Sequence, residues 1–178
     1  MNKKDIADKI VEVYESMLGN RKAVYVSTPM TTGKNYFLYG SKQYDNSNCV
    51  QRSRTFSFFQ RLYGNKYVIN PTYLTPMQDN ECWDHDDWMF MWRKVIKKFV
   101  YKIIFIDGWE YSRGCLSEME FALENGICIF KNSDSMTDDR FLHKDIQIKI
   151  LEAKQRLNGR FDYMDKLYDS ILELIKRK

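Results

Sequence analysis

The stretch from Lys102 to Gly126 constrains this chain most. Lys102–Ile106 is almost entirely β-branched or aromatic and stops at Asp107-Gly108, and Gly114–Asn125 then reads as a helix closed by Gly126. A short apolar run with no alternation suits a strand buried on both faces. A helix following at once makes it a unit of a parallel sheet, because only helices cover both faces of such a strand.

The same unit recurs along the chain. Ala23–Ser27 and Lys66–Asn70 read as further strands, the second ended by Pro71, and Ile127–Phe130 as a fourth. Helices are expected at 4–18, 49–63, 84–99, 137–156 and 160–177. In the first, Ile6, Ile10, Val13, Met17 and Leu18 form the apolar side. In the third, Trp88, Trp92, Val95 and Phe99 share a face, with Asp84, Asp86 and Asp87 at its start and Lys94, Lys97 and Lys98 at its end, as the helix dipole favours. Stretches 35–48 and 72–83 read as loops. No repeat, linker or low-complexity tract divides residues 1–178. The expected fold is one α/β domain: a Rossmann-like or flavodoxin-like three-layer sandwich, with a parallel sheet of four or five strands and extra N- and C-terminal helices. Ligands of such sheets bind beyond the carboxyl ends of the strands, where the strand order reverses. The loops Thr28–Lys34 and Asp107–Gly114 should therefore build the site.

Composition excludes several classes of function. The net charge of +4 is spread through the chain without a stripe of Lys and Arg, which suits a small anion and not polymeric nucleic acid. Four cysteines without a C-x-x-C pair, and only two histidines, argue against zinc, and no other cofactor is indicated. No apolar run reaches the ~20 residues of a membrane span. The charged opening, Met1–Asp8, has no apolar core of a signal peptide, so a cytoplasmic location is expected. Thr28–Asn35 resembles a P-loop only superficially, since Thr28 stands at the first glycine and Asn35 follows Lys34.

Cys115, Glu118, Met119 and Ala122 fall at i, i+3, i+4 and i+7 and share one helix face. The other three are small or apolar, so the face packs inward. A carboxylate there needs a partner or a task. Glu118 is thus a candidate catalytic group, set against the plain alternative of a first-turn acid or a capping partner of Ser112 or Ser117.

The pattern Ser112-x-Gly114-x-x-x-Glu118-x-x-x-Ala122 after the strand ending Asp107-Gly108 resembles the nucleoside 2-deoxyribosyltransferase superfamily, which includes the nucleoside 5′-monophosphate N-glycosidases. The stretch 108–114 is similar to that of often phage-borne members, and Tyr25-Val26-Ser27-Thr28-Pro29-Met30-Thr31 resembles the family's opening motif. The resemblance spans roughly residues 23–131. It implies that Glu118 attacks the anomeric carbon, that Tyr25 orients or activates it, and that Ser112, where the transferases carry an acid, helps hold a 5′-phosphate. Arg113, Gly114 at the helix start, and Thr31, Thr32, Gly33 and Lys34 are further candidate anion donors. The family's aspartate on the preceding helix has no counterpart by direct count, which falls on Arg93. Asp86 and Asp87 are the nearest acids, and Asp87 is the candidate, against helix capping. Trp83 and Trp109 offer faces for a base, against burial in the core. His85 and His143 have no partners at the spacing of a ligand set or triad.

Three functions follow: a nucleoside 5′-monophosphate N-glycosidase, a 2-deoxyribosyltransferase, or a nucleotide-binding sensor without catalysis. The resemblance also implies a homodimer or larger assembly, with helix 84–99 and the C-terminal helices as contact surfaces and Ser133 or Ser135 lent to a neighbour's site.

Overall fold

The computed structural model describes residues 2–29, 34, 54–64, 67–74, 83–132 and 138–177. Helix α1 is Lys3–Leu18, β1 Ala23–Ser27, α2 residues 54–63, β2 Val68–Ile69, α3 His85–Phe99, β3 Val100–Phe105, α4 Arg113–Asn125, β4 Cys128–Asn132, β5 Asp138–Arg140, α5 His143–Leu157 and α6 Asp162–Lys176. Short 3₁₀ turns cover Pro71–Leu74 and Trp109–Tyr111.

The sheet has the order β2-β1-β3-β4-β5. The first three pairings are parallel, whereas β5 runs antiparallel to β4, with Phe130 opposite Arg140 and Asn132 opposite Asp138. The sheet is therefore mixed, which corrects the expectation of a purely parallel one. The expected helix from 137 is corrected with it. Asp138-Asp139-Arg140 carries no apolar side chain to bury, so its backbone takes up the free edge of β4 instead, and α5 begins only at His143. An antiparallel neighbour also needs no helical crossover.

Alternation along the strands divides the core in two. Tyr25, Ile103 and Phe105 face the larger cluster, which they share with α1, α3, α4, α5 and α6. Val24, Val26, Ile104 and Ile106 face the smaller one, where Phe56 and Phe59 of α2 cover them. Helices thus lie on both faces of the sheet. Among the described residues, no helix is long and apolar enough to cross a membrane.

In α1 the buried side is Ile6, Ala7 and Leu18, with Ile10, Val11 and Tyr14 packed beside them. Val13 and Met17, expected inward, are exposed, because the helix turns its Tyr14 side to Trp92 and Phe99 of α3. Ion pairs of Lys94 with Asp8 and Lys98 with Glu15 fasten the same contact.

Candidate active site

The site begins at the carboxyl end of β1. Tyr25 and Ser27 are two apart and so point to one face of the sheet. Both are completely buried. From β3 the chain turns at Gly108, whose φ of 87° is the left-handed conformation that glycine adopts without strain. One 3₁₀ turn later Ser112 caps α4, its Oγ accepting from the Cys115 backbone N–H at 3.5 Å. This sharp reversal swings α4 over the end of β1 and carries Glu118, in its second turn, down onto the two hydroxyls.

The Tyr25 hydroxyl donates to Glu118 Oε1 at 2.5 Å and the Ser27 hydroxyl donates to Oε2 at 2.6 Å. Both carboxylate oxygens are thereby aimed, although Glu118 is only 6% exposed. Among the described residues no cation pairs with it. Burial pushes its pKa up to about 7, with the Ser27 and Tyr25 hydrogen bonds pulling the other way. Burial outweighs these hydrogen bonds, and Glu118 exchanges its proton near neutrality. Burial and the Glu118 charge push the Tyr25 hydroxyl well above its ordinary range, so it stays a donor. Burial likewise pushes the Cys115 thiol up, which keeps it protonated and a poor nucleophile.

Above Glu118 opens a cavity of ≈ 530 Å³, well within the range of small-molecule sites. Thr28 and Pro71 line it from the ends of β1 and β2, and Ser112, Arg113, Gly114 and Cys115 from the start of α4. Opposite stand Trp83, His85, Met89, Trp88 and Trp92, with Tyr163 reaching in from α6. The Trp83 and Trp88 rings lie 4.6 Å apart, and the Trp83 Nε1–H is buried without a hydrogen-bond partner among the described residues. Trp92 meets Tyr25 edge-on at 5.7 Å and so braces the residue that holds Glu118. Arg113 lies at the rim, 3.2 Å from Asp86 and over the Tyr163 ring. Burial and the Arg113 charge push His85 down to about 4, leaving a neutral imidazole in the wall.

The structure brings Glu118, Tyr25, Ser27, Thr28, Ser112, Arg113 and Gly114 together. Ser27 does not line the cavity, and its hydroxyl holds Glu118 beneath it. Four other expected residues stand elsewhere. Trp109 is buried in the core between Phe105 and Phe141, at 5.5 and 5.7 Å, because the 3₁₀ turn points it under the sheet end. Asp107 pairs with Lys149 at 3.0 Å in a different crevice. Asp87 closes a capping box with Asp84 and binds Lys3 of α1, so it turns away from Glu118. Lys34 sits beside Gly108 and contributes charge toward Glu110, outside the cavity lining. Met30, Thr31, Thr32, Gly33, Ser133 and Ser135 lie outside the described residues.

Sequence reasoning missed His85, Met89 and Tyr163, and it assigned Trp88 and Trp92 to the core alone. Part of the signal was present. Positions 85, 88, 89 and 92 repeat at helical spacing, so the face that packs on the core also passes the cavity at its amino end. Nothing near Tyr163 marks it. Compared with models of protein families, curated proteins and solved structures, the chain matches none.

Proposed function

We propose that this protein is an N-glycosidase that hydrolyses the base–sugar bond of a nucleoside 5′-monophosphate, with Glu118 as nucleophile. The observation that carries the reading is a buried carboxylate, oriented at both oxygens by neutral hydroxyls, beneath a cavity with an aromatic wall and a cationic rim. The strand order agrees with that of flavodoxin-like sheets, whose ligand site lies where β1 and β3 part, and this cavity opens there.

In the reaction, ionised Glu118 attacks the anomeric carbon as the bond to the base nitrogen breaks. Positive charge builds on the sugar in an oxocarbenium-like transition state, and a glycosyl ester forms. Water then attacks the same carbon and frees the carboxylate. The departing base gains one proton and the water loses one, so the net reaction consumes one water. Ser112, the free N–H groups at the start of α4 and Arg113 suit a phosphate. Trp83 and Trp88 suit the flat face of a base. With Asp87 turned away and His85 neutral, no strong acid among the described residues faces the base, which favours bases that leave readily.

The test is release of free base from a panel of nucleosides and their 5′-monophosphates, with Glu118→Ala in parallel. Release from monophosphates alone, lost in the variant, is the expected result, and equal release by the variant defeats the proposal. A free acceptor base that accelerates turnover would assign a 2-deoxyribosyltransferase instead. The orientation of Asp87 favours one reading of another class, a nucleotide sensor, which tight binding without product over hours would identify.

A further inference from the structure

A second hollow, of ≈ 560 Å³, adjoins the Glu118 cavity. The two share His85, Met89, Arg113 and Tyr163, so they meet at the Arg113 rim. Arg113, Ser117 and Phe121, at i, i+4 and i+8 of α4, make one side of the hollow. Its other sides bring Arg93, Lys94 and Lys97 from α3 and Lys166 from α6. With Arg113 that makes five cations, and Asp86 is the one carboxylate among the lining residues.

These charges are incompletely neutralised. Lys94 binds Asp8, Arg93 approaches Glu120 at 3.4 Å, and Arg113 has Asp86. Lys97 and Lys166 have no ion pair among the described residues. Arg93 Nε–H is buried without a hydrogen-bond partner among the described residues. The positive potential reaches the shared wall, where the charges of Arg113 and Arg93 both help keep His85 unprotonated. A focused positive groove of this kind attracts a polyanion.

We infer that the site also takes nucleotides whose phosphate chain is longer than one unit, as in a nucleoside di- or triphosphate or a dinucleotide pyrophosphate, and that this chain runs from Arg113 into the α3–α4–α6 groove. The inference rests on the nucleotide reading of the Glu118 cavity. Phosphates beyond a first one at Ser112 and Arg113 enter the hollow that Arg93, Lys97 and Lys166 line. Phe90, 45% exposed, and Phe121 give the groove an apolar side on which a second nucleoside of a dinucleotide would rest.

Binding, which needs no turnover, tests this by calorimetry on Glu118→Ala. The probes are deoxynucleoside 5′-mono-, di- and triphosphates of one base, diadenosine pyrophosphate and inorganic tripolyphosphate. Each added phosphate is expected to tighten binding about tenfold at low salt, with the gain shrinking as salt screens it. The double variant Lys97→Glu/Lys166→Glu should remove that gain and abolish tripolyphosphate binding, while the monophosphate still binds as before. Tightest binding by the dinucleotide would select that source, and by the triphosphate the other. Equal affinities for mono-, di- and triphosphate, or a gain untouched by the double variant, would overturn the inference. Failure of base release alone leaves these affinities intact, so the two readings fail separately.

Discussion

Two crevices of similar size flank the turn after β3, and they treat charge in opposite ways. The one toward β4, ≈ 520 Å³, is lined by Asp107, Lys131, Asp145 and Lys149. There Lys149 meets Asp107 and Lys131 meets Asp145, each at 3.0 Å and each partly in water. The one toward β1 holds Glu118, buried and, among the described residues, met by two uncharged hydroxyls and no cation. Solvated opposite charges cost a fold little and yield little. An unneutralised carboxylate under a cavity costs several kcal/mol, about the scale of burying an unpaired ion. The chain spends stability in one crevice and conserves it in the other, and the expensive crevice is where the strand order reverses.

Substitutions break this comparison from its strongest side first. Glu118→Ala should lower base release by about a thousandfold or more, as loss of a nucleophile does. Asp107→Asn, on the other side of the turn, should leave the rate within about twofold, because its partners are solvated. A Glu118→Ala enzyme with near-parental turnover would make the two crevices equivalent.

A second contrast is in stability. The folded pKa of Glu118, about 7, lies above its ordinary 4.5, so the folded state binds the proton more tightly. Stability from this group is therefore fully present below about pH 4.5 and is lost as pH rises to about 7, by about 3 kcal/mol in total. Glu118→Gln, which has no proton to lose, should gain on the parent protein by roughly that amount between pH 5 and 8. Urea denaturation at the two pH values measures it, and a pH-independent gap would show that burial does not govern this carboxylate.

Smaller effects sharpen the picture. Tyr25→Phe and Ser27→Ala each remove a donor that favours the ionised form. Each should move the acid limb of the kcat/KM profile, expected near pH 7, to higher pH and reduce the plateau about tenfold. A plateau lowered without movement of the limb would mean that the hydroxyls serve packing alone. The smallest effect belongs to Lys131→Met, where loss of the partly exposed pair with Asp145 should cost under about 1 kcal/mol by thermal unfolding.

The same contrast explains what was legible in the chain. β1, β3 and the inward face of α4 could be read because their burial is written locally, in uninterrupted apolar runs and in the spacing of Cys115, Glu118, Met119 and Ala122. β5 could not, since Asp138–Arg140 joins the sheet only through backbone groups offered by β4. Trp109 and Asp87 were misplaced because one 3₁₀ turn and one capping box decide where they point. The cationic groove was invisible as well. The charge looked scattered because Arg93, Lys97, Arg113 and Lys166 meet only after three helices pack.

The tryptophan pair in the cavity wall has an optical consequence. Two indoles 4.6 Å apart and tilted by 54° couple their electronic transitions, which produces a paired band of opposite signs in circular dichroism. A base entering between the Trp83–Trp88 wall and Glu118 would change both that coupling and the emission of the two rings. The protein thus carries its own spectroscopic gauge of occupancy, readable without label, product or turnover.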